Sequence, residues 1–95
     1  MLVFEFDPAK AALNVAKHGV SFELAQAVWG DPLHVILVDR VVGGECRYHA
    51  IGMVGHVLLL VVVHSYPDGV EHDRIRIIGA RRATRHERKR YEEEA

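Results

Sequence analysis

Cysteine is almost missing from this 95-residue chain, which has one, Cys46. A lone thiol excludes an internal disulfide and a cysteine-rich zinc site, and Cys46 reads as a small, half-buried strand residue. Long apolar runs are missing too. The longest, Val57 to Val63, falls far short of the roughly 18 residues of a membrane span, and the N-terminus has no basic region followed by an apolar one. A soluble, cytoplasmic protein without membrane contact is expected. The seven histidines never stand at i,i+2, i,i+3 or i,i+4, so a metal site would need ligands from separate elements; neither a metal nor a cofactor is expected. Excess charge is absent as well, with 12 Lys and Arg against 13 Asp and Glu. With no repeat, low-complexity tract or linker, residues 1–95 read as one domain, whose 49% hydrophobic content supports a modest core.

What the chain does have is positive charge in one place. Arg74, Arg76, Arg81, Arg82, Arg85, Arg88, Lys89 and Arg90 crowd the stretch from Asp73 to Tyr91, leaving Lys10, Lys17, Arg40 and Arg47 for the rest. Arg74-Ile75-Arg76-Ile77 alternates with period two, so a strand there puts arginines on one face and isoleucines on the other. Thr84 to Glu87 fits a capping box, which starts a helix at Arg85. That helix places its cations first and Glu92, Glu93 and Glu94 last, against the helix dipole. Arg88 with Glu92, Lys89 with Glu93 and Arg90 with Glu94 are spaced to offset part of the cost. Such an arrangement suits either a polyanion-binding patch or a solvated helix closed by its own ion pairs.

The remaining elements follow from local signals. Leu2 to Phe6 alternates as a short strand. Asp7 caps a helix from Pro8 to Lys17, with Ala12, Val15 and Ala16 near one face and Gly19 as its left-handed stop. Ser21 caps a second helix, Phe22 to Trp29, whose aromatic residues read as core. Strands follow at His34 to Val38, Arg47 to Met53 and Val57 to Ser65, with turns at Gly43-Gly44, Gly55 and Pro67-Asp68-Gly69. The continuous apolar run marks the third as a central strand covered on both faces. The predicted class is α+β: an antiparallel sheet with two N-terminal helices and one C-terminal helix, in the order β-α-α-β-β-β-β-α.

Several stretches together resemble one family. They are F-E-F-D-P-x-K at Phe4 to Lys10, N-x-x-K-H-G-V-S-F at Asn14 to Phe22, E-x-R-Y-x-A-I-G at Glu45 to Gly52, L-L-x-V-V-V-H at Leu58 to His64, and R-I-R-I-I-G-A-R-R-A-T-R-x-E at Arg74 to Glu87. The ordered set resembles BrnT-type toxins of type II toxin-antitoxin systems. The resemblance implies a RelE-like fold, metal-independent RNA cleavage with arrest of translation and growth, and neutralisation by a cognate BrnA-like DNA-binding antitoxin. It further implies a heterotetramer of two toxins and two antitoxins that meets operator DNA only through the antitoxin. The chain departs from the pattern at Phe6, where tryptophan is usual, at Gly79, where serine is usual, and in a longer turn from Tyr66 to His72.

Metal-free RNA cleavage needs a base for the 2′-hydroxyl, cations on the developing phosphorane charge and an acid for the leaving oxygen. Arg74 and Arg76 are the leading candidates for charge stabilisation, each able to grip a phosphate with two N–H groups. Glu45 and Arg47 share a strand face, so Glu45 can act as base or hold a neighbouring arginine in place. His64 offers an imidazole of near-neutral pKa. Lys17, Arg81, Arg82, Arg85 and Arg88 suit RNA positioning, and Tyr91 can pack, stack or donate a proton. The rival function is a non-catalytic module that binds nucleic acid or an acidic partner through the same patch.

Overall fold

The run Leu58–Ser65, apolar at nearly every position, forms the middle strand of a five-stranded sheet in the computed structural model, which describes residues 1–94. The elements in chain order are β1 (Val3–Glu5), α1 (Pro8–His18), α2 (Phe22–Ala25) continued by a 3₁₀ turn (Gln26–Gly30), β2 (Val35–Val42), β3 (Glu45–Val54), β4 (Leu58–Ser65), β5 (Arg74–Arg82) and α3 (Arg85–Glu94). Sheet order is β1-β5-β4-β3-β2. The strands β2 to β5 form the expected antiparallel meander, while β1 pairs parallel to β5 at the edge. The long connection through both helices carries the chain across from β1, which a meander of tight turns does not do.

Alternation along β4 divides the core. Leu60 and Val62 point to the side covered by α1 and α2, where they pack with Phe22, Ala25, Val28, Ala50, Ile77 and Ala80. Leu59 and Val61 point the other way and pack with Ile51 and Tyr91 of α3. Both faces of the strand are buried, as its unbroken hydrophobicity requires. At Gly52 the 3₁₀ turn presses on β3 so closely that a Cβ would lie 2.9 Å from the Val28 carbonyl oxygen.

The helix caps follow the sequence signals. The Asp7 carboxylate accepts from Ala9 N–H at 2.8 Å, Ser21 Oγ accepts from Leu24 N–H at 3.0 Å, and Gly19 closes α1 at φ 70°. In the capping box, Glu87 N–H donates to Thr84 Oγ1 at 3.2 Å and Thr84 N–H donates to Glu87 Oε1 at 2.9 Å. Other local expectations are overturned. The strand expected at His34 to Val38 runs on to Val42 through a bulge, because Gly43 and Gly44, with φ of 57° and 81°, make a two-residue turn that keeps pairing intact to its ends. The second helix tightens into a 3₁₀ turn after Ala25. In α1, Ala12, Val15 and Ala16 are all exposed, and Ala11 and Asn14 face the sheet instead. The helix is attached by hydrogen bonds: the Asn14 carboxamide pairs with Ala80, donating to its carbonyl at 2.8 Å and accepting from its N–H at 3.1 Å. It takes the place of a neighbouring strand where β1 has ended.

Candidate active site

The α3 face of the sheet is only half covered, because α3 packs over Ile51, Leu59 and Val61 and leaves the opposite end of the strands bare. The side chains on this bare end are polar and lie on one register row. Glu5 pairs with Arg76, and Arg76 pairs with Ser65. One step past the Tyr48–His64 pair, Arg47 comes abreast of Ser65, and Arg47 in turn pairs with Arg40. Alternation puts Arg74, Glu45 and His49 on the same face, one step along their strands.

The structure therefore brings together four of the residues read as catalytic, Arg74, Arg76, Glu45 and Arg47. It also engages the arginines with acids. Arg76 Nε donates to Glu5 Oε2 at 3.0 Å, and its Nη1 lies 3.7 Å from Glu45. Glu45 is thus placed to hold an arginine, one of the two roles open to it. Arg74 forks onto Asp68 at 2.6 and 2.9 Å and also reaches Glu5 at 3.1 Å. This hydrogen bonding keeps the Asp68 carboxyl below its usual range and ties the longer turn to the sheet. The face is a lattice of alternating charges rather than a bare cationic surface.

His64 is not on this face. Its side chain points to the α1 and α2 side, fully buried, with ring contacts to Trp29, Tyr48 and Tyr66. Burial pushes its pKa down to about 4, which overturns the near-neutral imidazole expected at a strand end. Its Nδ1 lies 3.1 Å from the Val62 carbonyl and must donate there, so Nε2 accepts from the Tyr66 hydroxyl at 3.1 Å. His64 shares this side with Leu60 and Val62 by plain alternation along β4, whose ladder with β3 is unbroken; the register shift beside it falls on β5, where Ile78 is the extra residue.

The proposed RNA-positioning residues scatter. Lys17 lines a shallow hollow of about 590 Å³ with Lys10, Asn14 and Ile78 at the α1 side, away from the arginine row. Arg81 forks onto Glu87 at 2.6 and 2.8 Å, and together with the capping box this brings the Glu87 pKa down to about 2. That pair fastens α3 to β5. Arg82, Arg85 and Arg88 are exposed. Of the three expected ion pairs along α3, only Lys89–Glu93 closes among the described residues, at 4.0 Å. Tyr91 is buried and donates to Asp31 Oδ2 at 2.6 Å, which pushes the phenol up to about 12; packing is its role. Burial alone would raise the Asp31 pKa, but hydrogen bonds from Met53, Tyr91 and Leu33 hold it low.

Sequence reasoning passed over four residues of this face: Glu5, Ser65, Asp39 and His49. His49 Nε2 lies 3.4 Å from Asp39 Oδ2, with both side chains about one-fifth exposed at 20% and 19%. A histidine at i+2 from Arg47 on a strand was a usable signal, since it shares the arginine's face. Among the described residues no cluster of three or more His, Cys, Asp or Glu could hold a metal ion.

No curated protein matches the sequence. Among solved structures, the fold is similar to the crystal structure of the Brucella abortus ribonuclease toxin BrnT, with a TM-score of 0.62 and 22% identity over 90% of this chain and 100% of that one. The family model for the ribonuclease toxin BrnT of type II toxin-antitoxin systems matches residues 6–87. Most of the chain, from the residue after the first strand to the capping box, therefore falls within one pattern, and the protein belongs to the BrnT family of ribonuclease toxins.

Proposed function

We propose that the chain cleaves RNA without a metal, on the uncovered end of the α3 face. The observation that carries this reading is the convergence of Arg47, Arg76 and His49 at neighbouring positions of two strand pairs. In the reaction, His49 accepts the proton of a 2′-hydroxyl through its Nδ1 while Asp39 orients the ring through Nε2. The 2′-oxygen bonds to phosphorus, the bond to the 5′-oxygen breaks, and that oxygen takes its proton from water admitted by the open face. Arg47 and Arg76 neutralise the negative charge that gathers on the phosphoryl oxygens. Glu5 and Glu45 keep Arg76 extended over the site until RNA displaces them.

The partner is a BrnA-like, DNA-binding antitoxin, which neutralises the toxin in the cytoplasm by covering this face. The two form a heterotetramer of two toxins and two antitoxins, and operator DNA is touched only by the antitoxin. Family membership supports the partner, and the bare end of the face supplies room for it.

Product analysis tests the chemistry. Mass spectrometry of a cleaved oligoribonucleotide should find 2′,3′-cyclic phosphate and 5′-hydroxyl ends in EDTA, and a substrate with a 2′-deoxy unit at the scissile position should resist. Ends bearing a 5′-phosphate would refute this route.

A further inference from the structure

Two polar atoms on the arginine row have no partner among the described residues. Ser65 is fully buried and its Oγ makes no hydrogen bond; the Arg47 Nε is likewise buried without an acceptor. A buried donor left unpaired forfeits its hydration without recompense, so native proteins rarely keep one, let alone two side by side. Here they are neighbours across β3 and β4, on the face that α3 leaves bare. Arg76 stands on the other side of Ser65. The two arginines root two strands apart, roughly 10 Å by ordinary strand spacing, with Ser65 midway on the floor between them.

We infer that Ser65 Oγ and Arg47 Nε form the floor of a subsite for one tetrahedral phosphate group of the RNA backbone. This rests on the ribonuclease reading and assigns to it a residue that the charge pattern does not reveal. Both orphan groups donate, and a phosphate oxygen is an acceptor with several lone pairs. Arg47 and Arg76 then turn their guanidinium groups onto the remaining oxygens from either side. Ser65 is a positioning residue: its hydroxyl holds one oxygen at the base of the site and leaves phosphorus facing outward, toward the nucleophile that His49 deprotonates. A serine fits where a third arginine would not, because Ser65 lies buried at the floor between the two and an additional buried cation would need its own acid. The neighbouring acids explain why the site is not a general anion trap. Glu5 and Glu45 must be displaced from Arg76, so a single phosphate binds weakly and a polymer contacting several groups binds well.

The test combines inorganic phosphate binding with RNA cleavage in EDTA, for wild type and for the variants Ser65→Ala, Ser65→Cys and Ser65→Thr. In ¹⁵N NMR titrations with inorganic phosphate, the Arg47 Nε–H and Ser65 amide resonances should shift saturably. Affinity should fall about tenfold in Ser65→Ala and in the nearly isosteric Ser65→Cys, and recover in Ser65→Thr. Cleavage by Ser65→Ala should lose about 10²–10³ in kcat, as for the loss of one donor to an oxyanion, with KM changed much less. An Arg47 Nε–H signal indifferent to phosphate, or wild-type phosphate affinity in both Ser65→Ala and Ser65→Cys, would overturn the subsite. So would wild-type kcat in those two variants beside an active wild type. If wild type fails to cleave while phosphate binds as described, the ribonuclease reading falls and the subsite stands.

Discussion

At the scale of single residues, the division of labour among the basic groups follows from their acids. Arg74 is held by a bidentate fork to Asp68 and by Glu5, so it clamps the turn after β4, whereas Arg76 keeps only Glu5 at close range. Arg76→Ala should therefore cost about 10²–10³ in kcat/KM. Arg74→Ala should cost far less and instead speed hydrogen exchange in the segment Tyr66 to Asp73. Steady-state kinetics and exchange mass spectrometry on the two variants separate these effects. The histidines divide in the same way. With its pKa near 4, His64 is neutral throughout the physiological range and is not the proton acceptor; His49→Asn, which removes the proposed acceptor, should cost about 10²–10⁴ in kcat, whereas a His64 substitution should show first in stability.

Among the elements, α3 shows how a charged helix with almost no apolar surface stays docked. Its contacts with the sheet are Tyr91, packed in the second core cluster and bonded to Asp31, and Glu87, which serves both the cap and Arg81. Tyr91→Phe leaves the packing and removes one hydrogen bond to a charged group, a loss of about 1.5–3 kcal/mol that urea denaturation would register. The cap and the helix start were legible because they depend on residues three apart. So were the central strand, from its unbroken apolar run, and the two-residue glycine turn. The partners of the arginines were not: Glu5 and Arg76 are separated by 71 positions, and nothing local in either stretch names the other. The burial of His64 was missed for a related reason: alternation puts it on the side of Leu60 and Val62, but the rings of Trp29 and Tyr48 that pack on it come from distant stretches. Alternation alone brought Arg74 and Arg76 to one face; the antiparallel register added Arg47, Ser65 and His49.

The whole molecule should be sensitive to acid, with a direction that two groups fix. His64 is held at about 4 against an ordinary 6.5, so the unfolded chain binds a proton that the native state refuses, and stability falls as pH drops through 6.5 toward 4. Glu87 is held at about 2 against an ordinary 4.5, so its contribution is intact above 4.5 and is lost as pH falls toward 2. Each displacement corresponds to about 3 kcal/mol at most, less for Glu87 because solvent screens part of its ion pair. Thermal melts between pH 7 and pH 3 should therefore fall steadily, and Glu87→Gln should flatten the part below pH 4.5.

The fold that holds these two groups exposes the proposed chemistry at one end of the sheet, the end that α3 leaves uncovered. Incubating purified, antitoxin-free protein with total RNA in EDTA, beside the Arg47→Ala/Arg76→Ala variant verified as folded, tests whether that end is the active site. Cleavage by the wild type and intact RNA with the variant is the result the structure predicts. Equal cleavage by both proteins, or cleavage by neither, would contradict it.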